Sequence, residues 1–155
     1  MKGLTLIETV VYIALFSILM TGALTASFDL LESGQKSLGK ATVQEEGSFV
    51  QRKMDWALGD MSVAPTVSGS SCTQSISVSK TGYASNPVVF QINTTNKTVE
   101  IKENGGSAVA LTTSNVSATC LKFTANPAEC GLQGGVTATI SLSGLDFVTT
   151  KCLRK

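Results

Sequence analysis

A single carboxylate, Glu8, stands at the head of a run from Thr9 to Phe28 that carries no charge. About twenty apolar residues are what an α-helix needs to cross a bilayer, so the run is a spanning candidate. An ionised carboxylate at its margin is costly in hydrocarbon and needs a reason to be there. The order of features is wrong for a cleaved secretory signal, which places a positive region first, then a short apolar core, then a small-residue cleavage site. Here the small residue, Gly3, precedes the apolar run and directly follows Lys2, the one early positive charge. Cleavage at Gly3 therefore leaves the helix on the mature protein as an anchor.

The stretch Lys2-Gly3-LTLIE places Glu8 fifth after the glycine, with an unbroken apolar helix behind it, and it resembles the type IV pilin family. That family includes pilus subunits and the pseudopilins of type II secretion. The resemblance is strong up to about Leu30 and extends over the remainder only in general layout. It implies that a membrane prepilin peptidase cuts after Gly3 and N-methylates the new terminus, Leu4. It also implies that Glu8 meets the amino terminus of a neighbouring subunit in a filament. Two departures stand out: Leu4 occupies a position where the family usually has Phe, and the apolar helix lacks the proline common partway along it, Gly22 being its one weak point.

Physical chemistry gives Glu8 two readings. A lone carboxylate in hydrocarbon costs a few kcal/mol on insertion scales, recovered only when a positive partner is brought to it. The freshly exposed amine at Leu4 of an adjacent copy is such a partner. Alternatively, Glu8 rests at the headgroup level, one turn from the helix start, where the helix dipole favours its charge. The neighbouring Gly3 and LTLIE favour the first.

Composition narrows the function classes. Twelve basic against eleven acidic side chains give a net charge of +1, which becomes zero once Lys2 leaves with the leader. No basic surface for nucleic acid is expected. The chain has no histidine, which removes Ser-His-Asp and Cys-His nucleophile systems, imidazole zinc sites and the commonest general base. The expectation is a non-enzyme with no cofactor. With so much of the chain in one helix, the remainder suffices for one small head.

From Asp29 to Met61 the chain is polar but compatible with helix, with no proline until Pro65. A helix from Leu4 to Ala64 would be about 90 Å long. Val50, Met54, Ala57, Leu58 and Met61 recur at spacings of three and four and mark one apolar stripe, the face on which the head is built. Phe49 and Trp56 lie toward a neighbouring face, either as further core or as a contact with another subunit. Gly34, Gly39, Gly47 and Gly59 each weaken the helix by up to about 1 kcal/mol relative to alanine, so a bend or a loosened turn is expected.

Beyond Pro65 the stretches ISV (76–78), VVFQI (88–92), TVEIK (98–102), CLKF (120–123) and GVTATISLSG (135–144) read as strands separated by turn-rich segments. Val136, Ala138, Ile140 and Leu142 face one way; Thr137, Thr139, Ser141 and Ser143 face the other. One antiparallel sheet with a covered face and a wet face suits this pattern, and the helix stripe is its cover. LTTSNVSATCLKF with the strand after it also resembles, weakly, the end of minor pilin and J-type pseudopilin heads. The sequons at Asn93, Asn96 and Asn115 are a by-product of an Asn/Thr/Ser-rich surface.

All four cysteines, Cys72, Cys120, Cys130 and Cys152, follow the helix. An even number in an exported head points to two disulfides with three possible pairings. A four-cysteine metal site lacks any CxxC knuckle. An antiparallel pairing of the last two strands would return Cys152 near Val136 and hence near Cys130, which favours Cys130–Cys152 and leaves Cys72–Cys120. Cys120–Cys130 with Cys72–Cys152 stays open.

The expected fold is α+β: a long N-terminal helix, membrane-spanning in its first half, packed against a small antiparallel head. Its parts are a leader (1–3), a transmembrane or filament-core half (4–28), an amphipathic half (29–64) and a disulfide-bonded β head (65–155). The resemblance implies a minor pilin-like structural subunit of a type IV pilus or related filament. Its partners would be other pilin subunits, prepilin peptidase, the inner-membrane assembly machinery and membrane lipid, without nucleic acid. The protein would sit in the cytoplasmic membrane with its head outside, then in a surface filament. A minor pseudopilin of type II secretion and a membrane-anchored adhesion, DNA- or ligand-binding module are the alternatives. Mass spectrometry of membrane-extracted native protein should show loss of Met1 to Gly3 and a methyl group on Leu4; an intact Met1 terminus would reject this processing.

Overall fold

The apolar periodicity after Asp29 requires a helix with something to cover one side, and the structure shows what covers it. A computed structural model describes residues 5–61, 63–125 and 128–153. The chain divides into two compact units, Met1–Ala41 and Thr42–Lys155, and helix α1 (Leu6–Gly59) contributes to both.

In the first unit the described helical residues are exposed on every side. The backbone amides of Glu8 and Thr9 donate to the Thr5 carbonyl at 3.1 and 3.3 Å, closing the first turn.

In the second unit α1 buries Val43, Gly47, Val50, Met54, Ala57 and Leu58, a stripe at helical spacing. Val50, Met54 and Ala57 are fully buried. The helix stops at Gly59, earlier than the expected Ala64, although the apolar period continues to Met61. Met61 is buried outside the helix, in an antiparallel bridge with Lys80. The Lys80 ammonium donates to the Trp56 carbonyl at 3.0 Å and to Asp60 Oδ2 at 3.1 Å. A cation on the last-turn carbonyls satisfies an orphan acceptor and complements the helix dipole, so the stop is built by tertiary contact.

The head contains two antiparallel sheets where the strand pattern suggested one. The first has the order β1 (Thr66–Ser68), β2 (Ser75–Val78), β3 (Val88–Asn93), β4 (Thr98–Glu103) and β5 (Val109–Ala110). The second comprises β6 (Ala118–Ala125), β7 (Gly135–Leu142) and β8 (Leu145–Cys152), with a 3-10 segment over Ala128–Gln133. They meet along a short seam, where the Leu121 amide donates to the Cys72 carbonyl at 2.8 Å and the Gln74 amide to the Leu121 carbonyl at 3.1 Å. The Cys72–Cys120 disulfide closes this seam, with its Cα atoms 4.3 Å apart.

Alternation decides which side chains reach the core. Ile76, Val78, Val88, Phe90 and Val99 of the first sheet and Val136, Ala138, Ile140 and Leu142 of the second are buried and join the helix stripe in one cluster. On the opposite face, Thr137 and Thr150 share a hydroxyl hydrogen bond of 2.9 Å. The β7–β8 hairpin turns on Ser143 and Gly144, both at positive φ, which matches the right-handed twist of the strands. Its register sets Gly135 opposite Cys152, and Cys152 is bonded to Cys130 with Cα atoms 5.2 Å apart.

Gly47 is not merely a weak helix position. A Cβ built on it would fall within the Phe147 ring of β8, so the glycine lets the strand approach the helix. Thr149 Oγ1 donates to Asp55 Oδ1, and Gln51 Nε2 donates to the Val148 carbonyl at 3.0 Å, which fix the same strand to α1. Gly47→Ala should therefore destabilise the head by about 1–3 kcal/mol despite alanine's better helix propensity. Chemical denaturation of the head should show the lower midpoint; an unchanged or higher one would reject the close approach.

Candidate assembly surface

The processing positions Gly3 and Leu4 lie outside the described residues. Glu8 lies in the first turn of α1, exposed, and among the described residues no side chain pairs with its carboxylate. Helix α1 contains an 18-residue stretch of mean hydropathy 1.9 with none of it buried, so it is long and apolar enough to cross a membrane. Large apolar side chains are exposed around it, among them Val10, Ile13, Phe16, Leu19 and Leu24. A helix apolar on all sides suits lipid or a packed bundle, not water.

The hydroxyls in this stretch fit the same environment, and the sequence reading missed them. Ser17 Oγ donates to the Ile13 carbonyl at 2.8 Å, Thr21 Oγ1 to Ser17 at 2.8 Å, and Thr25 Oγ1 to Thr21 at 3.1 Å. Ser27 Oγ donates to the Ala23 carbonyl at 2.8 Å. Each hydroxyl is satisfied by its own helix, so none carries the penalty of an unpaired donor into an apolar medium. The spacing of four between Ser17, Thr21 and Thr25 was the available signal.

Residues 1–24 match the family model of the prokaryotic N-terminal methylation motif. The match supports a type IV pilin-like family. No curated protein and no solved structure matches the chain. The motif points to a structural subunit that assembles with other pilins and is handled by prepilin peptidase, and the apolar helix is consistent with a membrane-anchored, pilin-like protein.

On the head of this pilin-like chain the structure corrects the core reading of Phe49 and Trp56, which are 40% and 38% exposed. Trp56 is nevertheless held. The Tyr83 ring meets it edge-on at 5.2 Å, and the Lys80 and Lys53 ammonium groups lie 5.1 and 5.7 Å from its centroid. Much of Trp56's role is thus to close the end of α1. Phe49 borders a groove with Lys53, Ile101, Val109 and Leu111.

Two titrating groups on the head depart from their ordinary behaviour. Tyr83 donates its hydroxyl to Glu103 Oε2 at 2.8 Å, and this hydrogen bond to a carboxylate raises the phenol's pKa. Glu100 accepts from Asn93 Nδ2 at 2.7 Å and from Gln91 Nε2 at 3.0 Å, which hold its carboxyl below its ordinary value of 4.5. Asn93 Oδ1 in turn accepts the Thr95 and Asn96 amides, both at 3.0 Å, so the network pins the β3–β4 turn. That engagement gives the first sequon asparagine a structural role.

A carboxyl with a lowered folded pKa contributes stability above its unfolded value and loses it as pH falls through the folded one. Glu100→Gln should therefore reduce the loss of denaturation midpoint between neutral and acid conditions relative to the parent. Identical pH dependence in the two proteins would show that the network does not bind the charged form preferentially.

Proposed function

We propose that this chain is a structural subunit of a type IV pilus or related filament, a minor pilin in preference to a major one. It is inserted in the cytoplasmic membrane with the disulfide-bonded head outside, cleaved after Gly3 and methylated at Leu4. The observation that carries this reading is the methylation-motif match over residues 1–24, with Glu8 at the mouth of an otherwise uncharged apolar helix. The missing helix proline favours a minor role. In assembly, the Glu8 carboxylate pairs with the Leu4 amine of a neighbouring subunit as both enter the apolar layer. A minor pseudopilin of type II secretion is the second reading; the weak likeness of LTTSNVSATCLKF and the following strand is to minor pilin and J-type pseudopilin heads alike.

The pairing separates two properties that a simple anchor would keep together. Glu8→Ala and Glu8→Gln should insert in the membrane at least as well as the parent, because a charge has left the apolar region. They should enter filaments poorly, because the neighbour's ammonium then lies unpaired, a loss of about 3–5 kcal/mol for a buried pair. Co-purification of Glu8→Ala with partner pilins, alongside a filament count, measures this. Normal values of both would overturn the pairing and favour a membrane-anchored binding module; the identity of the co-purifying subunits separates pilus from pseudopilus.

A further inference from the structure

The uncharged run contains polar groups, and they differ in how they are satisfied. Thr9, Ser17, Thr21, Thr25 and Ser27 each give a hydroxyl to a carbonyl one turn back, at 2.8 to 3.4 Å. A short side chain can do this because its oxygen lies beside its own backbone. Tyr12 cannot. Its ring holds the hydroxyl away from the backbone, the residue is 61% exposed, and among the described residues that hydroxyl has no partner. A phenol in an apolar medium carries the cost of an unmade hydrogen bond until an acceptor is brought to it.

Tyr12 follows Glu8 by four residues, which puts both on one face of α1, about 6 Å apart along the axis. Aromatic side chains in a helix lean toward its N-terminus, here toward the turn that carries Glu8. The carboxylate needs what the phenol offers. It has about four acceptor positions, and a buried ion pair is favourable only when the lone pairs that the cation leaves over are bonded as well. Thr5, whose hydroxyl is likewise without a partner among the described residues, precedes the helix, so within α1 the donor on the Glu8 face is Tyr12.

We propose that Tyr12 is a positioning residue for assembly: as α1 enters the apolar layer of a filament, the Tyr12 hydroxyl donates to the Glu8 carboxylate of its own helix and holds that group for the Leu4 amine of the neighbouring subunit. This rests on the filament reading above. In the isolated chain no hydrogen bond joins the two side chains, both of which are exposed, and the bond forms on burial, when water no longer competes for either group. The competing role is a tyrosine anchored among lipid headgroups, which uses the phenol for insertion instead of assembly.

Tyr12→Phe keeps the ring and removes only the hydroxyl. Parent and variant full chains, co-expressed in the native host, are compared in the membrane fraction and in sheared filaments by quantitative mass spectrometry. The variant's share should equal the parent's in the membrane and fall about tenfold or more in filaments, the effect of losing one hydrogen bond to a charged group. In a Glu8→Gln background the same change should have a much smaller effect, because the charged acceptor is gone. Equal shares in filaments would overturn the proposal, as would a membrane loss that accounts for the filament deficit, or an undiminished effect in the Glu8→Gln background. Glu8→Ala separates the two readings. If it fails to enter filaments while Tyr12→Phe enters normally, only the role of Tyr12 falls; if Glu8→Ala enters normally, the pairing falls and the role of Tyr12 with it.

Discussion

The packing of one helical stripe against two sheets is the contact on which the head depends. Val43, Val50, Met54, Ala57 and Leu58 supply an apolar surface that is buried in one cluster with the inner faces of both sheets. The first sheet brings Ile76, Val78, Val88 and Phe90 to it and the second brings Val136, Ala138, Ile140 and Leu142. A three-stranded sheet with one apolar face is only marginally stable by itself, so the helix acts as a shared core element. The disulfides work on top of this. Cys72–Cys120 ties the sheets at a seam with few backbone hydrogen bonds, and Cys130–Cys152 ties the 3-10 segment to the end of β8.

The same contact explains how far the sequence could be read. A stripe at spacings of three and four is visible without a partner, because the helix period itself exposes it, and all five residues from Val50 to Met61 that define it are buried. Gly47 was not legible as packing. A glycine reads as a loss of helix propensity, and its reason, Phe147, lies far along the chain. The helix end was misplaced for a related cause, since Lys80 decides it from outside the helix. Five of the six longer strands were visible as short apolar or alternating stretches; β8 (Leu145–Cys152), with Thr149 alone buried, was not among them, and β1 and β5, with three and two residues, are too short to show a period. Alternation also gives a strand's faces but not its sheet, and so one sheet was expected where the chain builds two.

The candidate assembly site is legible for the opposite reason. Its information is local: a glycine, a carboxylate at fixed spacing and an uncharged run, none of which needs a distant residue to be recognised. What the sequence reading did not extract was how the polar residues in that run are accommodated. Ser17, Thr21, Thr25 and Ser27 turn their hydroxyls onto carbonyls of the preceding turn. Glu8 is the one charged residue between Leu6 and Phe28, and among the described residues its carboxylate has no side-chain partner.

The two ends of α1 thus obey different rules, and the glycines trace where one gives way to the other. In an apolar medium the backbone of the run would have to keep its hydrogen bonds because nothing else could make them, so Gly22 would be tolerated there without opening. Within the head, side-chain packing holds the helix, and Gly47 strengthens the fold by admitting Phe147 although it weakens the isolated helix. The same residue type therefore has different consequences in the two parts of α1, a cost in helix propensity in one and a requirement of packing in the other.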